Sequence, residues 1–334
     1  MTTPSFKSSA IKSSTAKGNS KLKLHSRNPH RAPYNFPLLA DSCPELSHFI
    51  IKNKFNNASI DFANPDAVKT LNRALLNHFY GIAFWDIPSG YLCPPIPSRA
   101  DYIHYLADLL ADSNGGVIPR GKSINVLDIG IGANCVYPII GHQEYGWRFL
   151  GSDIDATAIE AANVIIKANS LSSAIQCRQQ AKKEQVFSGI WPEQKRFDAT
   201  LCNPPFHRSK AHMVEQVERK WQGLKQGQQQ KESRLNFGGQ SHELWCDGGE
   251  EGFIKRMIIE SQQYGDQCYW FTCFVSKQSS LSGIYATLKR VRAEKVKTVN
   301  MAQGQKNSRF VAWTFLSSQQ RDFWRDHHWQ LDRG

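Results

Sequence analysis

The sequence predicts an α/β protein, a seven-stranded, mostly parallel, doubly wound sheet preceded by a small N-terminal helical module. Three observations predict it. Seven strand-like apolar runs follow residue 123, at 124–129, 147–152, 175–179, 197–202, 268–275, 296–301 and 310–316. Helical patterns fall between most of them, notably at 156–168 and 252–264, and such alternation is the mark of a doubly wound sheet. The first run ends in the turn Gly130-Ile131-Gly132, where folds of this class open a crevice at the carboxyl ends of their strands.

The elements follow in chain order. Residues 1–24 are rich in Ser, Thr and Lys and read as a basic disordered tail. Up to Ala40 the chain carries Lys7, Lys12, Lys17, Lys21, Lys23, Arg27 and Arg31 and no acidic residue, a pattern that suits phosphates. A folded module is expected over 25–98. Its helix shows Val68, Leu71, Leu75, Leu76 and Phe79 at helical spacing, and Asn64-Pro65-Asp66 starts it with Pro in the first turn. Pro94-Pro95-Ile96-Pro97 reads as non-helical, and the pattern Tyr102, Ile103, Leu106, Leu109, Leu110 marks a helix beyond it. The sheet domain then occupies 99–334. A polar, glutamine-rich insert at about 207–246 shows no period and reads as a functional or flexible loop. The last two runs, separated by residues 302–309, read as an antiparallel hairpin.

Composition excludes several classes. The chain has 334 residues and a net charge of +12. Its mean hydropathy is −0.47 and its apolar runs are short and interrupted, so no membrane-spanning helix is expected. The N-terminus lacks an apolar segment of the secretory kind, and a cytoplasmic address is expected. The eight cysteines form no C-x-x-C pair and read as reduced, mostly buried thiols. No H-E-x-x-H or Cys/His metal spacing occurs, so no metal is expected, and His327-His328 read as exposed.

Three motifs carry the chemistry. In Asp128-Ile129-Gly130-Ile131-Gly132-Ala133-Asn134-Cys135 a buried strand enters a glycine turn that lets a ligand approach the backbone. A dinucleotide fingerprint would require a third glycine where this chain has Cys135. Gly151-Ser152-Asp153 ends the next run, where a carboxylate can accept both hydroxyls of a ribose, while Asp155 reads as the cap of the following helix. The third motif, Asn203-Pro204-Pro205-Phe206, follows the run 197–202. Two prolines fix the backbone after the Asn. The Asn203 side-chain carbonyl and the Pro204 main-chain carbonyl can then accept both hydrogens of one amine, and Phe206 can stack on a planar base. The bland readings are a tight strand–helix turn, a helix cap and a proline-stiffened turn.

Together these motifs resemble the class I, Rossmann-like methyltransferases that act on amines. Leu24-His25-Ser26-Arg27-Asn28-Pro29, Pro95-Ile96-Pro97-Ser98-Arg99-Ala100-Asp101-Tyr102-Ile103-His104, the segment 128–141 and Gly248-Gly249-Glu250 resemble more closely the bacterial 23S ribosomal RNA adenine-N6 methyltransferases and their eukaryotic relative that modifies U6 small nuclear RNA. The resemblance implies S-adenosyl-L-methionine as cofactor, held by Arg99, Asp128, Gly130, Gly132, Asn134 and Asp153, with Arg99 on its carboxylate. It implies an adenine handled by Asn203, Pro204 and Phe206, and an N-terminal module over 25–98 that binds RNA. The expected partner of the chain, a monomer, is 23S ribosomal RNA or a large-subunit assembly intermediate. A DNA-adenine enzyme, a methyltransferase of protein glutamine amides and an RNA-binding module with an inactive site are the alternatives. Phe206, where the glutamine enzymes usually carry Tyr, and the basic N-terminus favour RNA.

Overall fold

A central sheet of seven strands runs β5-β4-β3-β6-β7-β9-β8 in the computed structural model, which describes residues 24–205, 246, 248–303 and 306–329. The strands are β3 (Asn125–Ile129), β4 (Arg148–Asp153), β5 (Ile175–Gln179), β6 (Phe197–Cys202), β7 (Cys268–Val275), β8 (Lys295–Gln303) and β9 (Lys306–Thr314). The first five pair in parallel, and β7/β9 and β9/β8 are antiparallel. Strand β6 is buried along its whole length, as expected of a parallel strand covered on both faces. Successive residues point to opposite faces, so Val126 joins one apolar cluster and Leu127 the other. The seven runs and the doubly wound class expected from the sequence are therefore present.

One face is covered by α3 (Ile96–Asp112), α4 (Val136–Tyr145) and α5 (Ala156–Ala168), whose buried Leu106, Ile139 and Ile165 share a cluster with Val126, Ala199 and Phe310 of the sheet. Against the other face lie α6 (Gly249–Ser261) and α7 (Leu281–Arg290), through Ile254, Ile258, Ile284 and Leu288. The chain leaves β3 through α4 toward β4 and β5, then returns to place β6 on the other side of β3. Strand order reverses there, so the ends of β3 and β6 flank a crevice.

The N-terminal residues build α1 (Phe36–Ser42), the hairpin β1 (Ile50–Lys52) and β2 (Ala58–Ile60), and α2 (Pro65–Tyr80). Asn64 caps α2 by accepting the Asp66 and Ala67 amides at 2.9 and 3.3 Å, which is why that helix starts where the sequence places it. Buried Leu39, Leu71 and Leu75 belong to the same cluster as the sheet face.

The segment 25–30 docks through polar contacts. The His25 amide donates to Asp101 at 2.9 Å, its ring meets Asp108 at 2.8 Å, and Arg27 donates to Asp108 at 2.6 Å and to the Tyr145 hydroxyl at 3.1 Å. Asn28 donates to Pro97 O at 2.8 Å and to Asp101 at 2.5 Å. Arg27, counted among the basic residues of the arm, is thus an anchor onto α3.

Several local expectations are corrected. Ile96 and Pro97 form the first turn of α3, because a first-turn residue has no intrahelical use for its N–H. The final hairpin continues through residues expected as its connection, with Met301 facing Ser308 and Gln303 facing Lys306. Backbone pairing needs no apolar side chains, so polar residues hid it. Beyond Leu316 the chain forms α8 (Ser318–Trp324), started by a Ser317/Gln320 capping box, and a π-helical turn, Arg325–Trp329. His327 is exposed as expected, but His328 is partly covered, its Nε2 lying 3.3 Å from buried Asp198. Asp198 also accepts the Trp324 and Trp329 indole N–H groups at 2.9 and 2.6 Å, which draws this turn against the sheet. The eight cysteines are free thiols, most of them buried. Among the described residues, no helix is long and apolar enough to cross a membrane. Residues 1–23 and the insert from Phe206 to Trp245 lie outside the described residues.

Candidate active site

A cavity of about 600 Å³ opens at the carboxyl ends of β3, β4 and β6. It is lined by Arg99 of α3, by Gly130, Gly132 and Asn134 of the turn after β3, by Asp153 at the end of β4, and by Asn203 and Pro204 after β6. Seven of the nine site residues expected from the sequence therefore converge on one space. Of the other two, Asp128 lies buried just before the turn and Phe206 lies outside the described residues.

The glycine turn folds over the end of β4. The Gly130 and Ile131 amides donate to the Ser152 carbonyl at 2.8 and 2.9 Å, and the Gly132 amide donates to Asp153 Oδ2 at 2.9 Å. Gly130 has φ +77°, a left-handed conformation that side chains rarely adopt, and a Cβ built there would meet no protein atom within 4 Å. Gly151 is needed for the opposite reason, since a Cβ there would fall 2.2 Å from Ile131 Cδ1. Asp153 Oδ1 accepts the Asp155 amide at 3.1 Å, while Asp155 caps α5 by accepting the Thr157 amide at 3.0 Å and takes a hydrogen bond from Tyr91. Asp155 is thus the helix cap that the sequence reading expects. Asn134 is partly committed to its own turn, its Oδ1 accepting the Val136 amide at 3.2 Å and its carbonyl accepting the Trp85 indole at 2.9 Å.

Charge is unevenly compensated. Neither carboxylate oxygen of Asp128 has a hydrogen-bond partner among the described residues. Burial, reinforced by nearby Asp153 and opposed by Arg99, holds its carboxyl well above the usual carboxylate range. Arg99 donates to the Tyr137 hydroxyl at 2.9 Å, with its guanidinium 5.4 Å from the Tyr137 ring centroid. With the Asn203 amide turned so that both groups are satisfied, Oδ1 accepts from Arg99 Nη1 and Nη2 at 3.2 Å each.

Behind the Asn-Pro-Pro turn, Tyr102 meets Thr272 Oγ1 at 2.8 Å, and that hydroxyl donates to the Thr200 carbonyl at 2.7 Å. These contacts tie α3, β6 and β7 together beneath the turn. Buried Glu250 accepts from the amide and the hydroxyl of Ser276, which fixes the start of α6 at the end of β7.

Sequence reasoning missed Tyr137, the loop residues Gln180, Lys183 and Glu184 after β5, and Phe253 and Arg256 on α6, all of which line the cavity. The rule that ligands sit beyond strand carboxyl ends could have flagged the loop after β5. Tyr137, one turn past the glycines, carried no signal of its own. No group of three or more His, Cys, Asp or Glu able to hold a metal occurs among the described residues.

A protein family described as RNA methyltransferase matches residues 18–317. The ribosomal RNA large subunit methyltransferase F of Marinomonas sp. (strain MWYL1) is 62% identical over 322 residues, covering 96% of this chain and 98% of that protein. The protein of the same name from Pseudomonas syringae pv. syringae (strain B728a) is 58% identical over 302 residues, covering 90% and 92%. The hMettl16 catalytic domain solved with the MAT2A 3′UTR hairpin 1 superposes with a TM-score of 0.74 at 28% identity, over 89% of this chain and 96% of that one. The N-terminal domain of human METTL16 solved with SAH superposes with a TM-score of 0.69 at 26% identity, over 88% and 100%. The chain belongs to the RNA methyltransferase family.

Proposed function

We propose that this RNA methyltransferase transfers a methyl group from S-adenosyl-L-methionine to the N6 amine of an adenine in 23S ribosomal RNA. The observation that carries the reading is the single cavity in which the Asn203-Pro204 turn faces the Gly130–Gly132 turn and Asp153. The names of the close relatives support the ribosomal substrate, and the neighbour solved with SAH supports the cofactor.

The residues present fit the cofactor. Open space beside Gly130 and the carboxylate of Asp153 form a cradle for an adenosyl group, with the buried Asp128 carboxyl just behind the glycine turn. Arg99 supplies a guanidinium suited to a carboxylate. Asn134 lines the same space beside the turn. S-adenosyl-L-methionine brings a methyl group bound to a positively charged sulfur, so the protein has no leaving group to activate.

The chain's own task is to position an amine. The two hydrogen bonds from Arg99 orient Asn203 Oδ1 and occupy both of its lone pairs, so one of them gives way to an amine hydrogen when the substrate enters. The Pro204 carbonyl accepts the other amine hydrogen. These bonds draw the nitrogen lone pair out of conjugation with the ring, and Phe206 stacks on the base. Positioning of this kind is the main catalytic contribution, and the proton released on transfer passes to water.

Residues 25–98 form an RNA-binding module beside the sheet domain of 99–334, with the basic residues before 24 adding phosphate contacts. The enzyme works in the cytoplasm, on 23S ribosomal RNA or a large-subunit assembly intermediate. Its working unit is one chain.

The test is methyl transfer from labelled cofactor by the purified protein, offered ribosomal RNA, DNA and a glutamine-containing protein in parallel. Label recovered as N6-methyladenosine from RNA is expected. Label in DNA or protein alone would replace the reading.

A further inference from the structure

The hairpin β1–β2 is the least covered part of the N-terminal module. Its root is fixed, since Ile60 is buried and Phe49 and Ile50 pack against the main apolar cluster. Its tip projects Phe55, which is 71% exposed. A single exposed apolar residue needs no explanation, but this one is held in a built setting. Asn53 Oδ1 accepts the Phe55 and Asn57 amides at 2.9 and 3.1 Å. The Asn53 and Asn56 amides donate to the Asn57 and Asn53 carbonyls, both at 2.9 Å, and Asn56 sits at φ +61°, which Asn tolerates. The five-residue loop is therefore closed on itself, and the ring is presented without a large ordering cost.

The charge around the ring has one sign. From Ile50 to Ile60 the chain contains Lys52 and Lys54 and no acidic residue. Both lysines are exposed, and Lys54 Nζ lies 5.1 Å from the Phe55 ring centroid. Asp61, the first acid beyond the hairpin, is turned back to accept the Ala63 amide at 2.8 Å. A rigid, exposed aromatic ring flanked by cations matches the pairing by which proteins hold unpaired nucleotides, stacking on a base while ammonium groups meet the phosphates.

We propose that this hairpin is an RNA-stacking finger in which Phe55 packs on an unpaired base of the substrate and Lys52 and Lys54 bind the phosphates beside it. The inference rests on the RNA reading above and gives the N-terminal module a defined contact. The finger holds RNA without touching the reacting amine, so it governs affinity and not the chemical step.

The full chain is titrated with a short fluorescent single-stranded RNA by anisotropy, and methyl transfer to 23S ribosomal RNA is measured in parallel. Phe55→Ala should weaken RNA binding about tenfold, or about 1.4 kcal/mol, and raise the RNA KM with kcat unchanged. Phe55→Trp should restore both. Lys52→Gln with Lys54→Gln should lower the salt slope by about 1.4, the change for two single-strand phosphate contacts. Phe55 is exposed, so the thermal midpoint should not move in any variant. Wild-type affinity and KM in Phe55→Ala would overturn the finger, as would an unchanged affinity accompanied by loss of a dimer, which would make the tip a self-association surface. A wild-type protein that binds RNA but transfers no methyl group to it would refute the proposed reaction, while the anisotropy series would still decide the finger.

Discussion

Replacing Asp153 by Ala removes a carboxylate that works in two directions. Toward the protein it accepts the Gly132 amide at 2.9 Å and the Asp155 amide at 3.1 Å. Toward the cavity it is the acceptor assigned to the ribose. Each backbone bond contributes about 1 kcal/mol net, and water entering from the cavity can replace part of the loss, so the fold should lose about 1 to 2 kcal/mol. Charge-assisted bonds to the ribose contribute more, and cofactor affinity should fall by about 1 to 3 kcal/mol, roughly 5- to 150-fold. Asp153→Asn separates the two effects. It keeps the shape and one acceptor oxygen, and it removes the negative charge that, together with burial, raises the Asp128 carboxyl. Its NH2 group cannot accept one of the two backbone amides, so that variant should lose about 1 kcal/mol of stability, less than the Ala variant, and bind cofactor about tenfold more weakly. Titration calorimetry with S-adenosyl-L-methionine, alongside thermal unfolding, reads both quantities. Unchanged cofactor affinity in the Ala variant would remove Asp153 from the binding site and leave it a structural brace.

Three further outcomes follow from the same geometry. Asn203→Ala should keep cofactor affinity and lower turnover about a hundredfold, the usual effect of losing a positioned polar group worth about 3 kcal/mol, whereas Phe206→Tyr should retain most activity on RNA; wild-type turnover in Asn203→Ala would move the amine site elsewhere. Removing residues 1–23 should flatten the salt dependence of RNA binding without changing the thermal midpoint, whereas extending the cut to 31 should destabilise the fold by severing the contacts of His25, Arg27 and Asn28 with α3; equal midpoints for the two truncations would contradict the anchor. Burial lowers the His30 ring to about 4, and burial with repulsion from His25 and Arg27 lowers His104 to about 3. Below about pH 6.5 the unfolded chain takes up protons at these rings and the folded chain does not, so stability should fall with pH down to about 4. The loss is at most about 1.4 kcal/mol per pH unit per ring, and denaturant unfolding of a His30→Asn, His104→Asn double variant should show a flatter profile.

The sheet was legible because its strands are near-continuous apolar runs, and the cavity because its residues sit in contiguous motifs at strand ends. Gly130, Asp153 and Asn203 are distant in sequence but fall together once β3, β4 and β6 are adjacent. What escaped was encoded in other ways. The β8–β9 ladder runs through polar residues paired by backbone alone, and β1 and β2 are three residues each, too short for a period. The turn Arg325–Trp329 is held by indole bonds to Asp198, a side chain more than a hundred positions away. Arg27 was legible as a positive charge but not as an anchor, because its partners Asp108 and Tyr145 are distant in the chain.

The measurement that bears most directly on the assigned reaction is mass spectrometry of nuclease-digested 23S ribosomal RNA from cells with the gene, without it, and without it but carrying the Asn203→Ala variant. One adenine should be N6-methylated in the first sample and unmodified in the other two. An identical N6-methyladenosine content in all three would contradict the account.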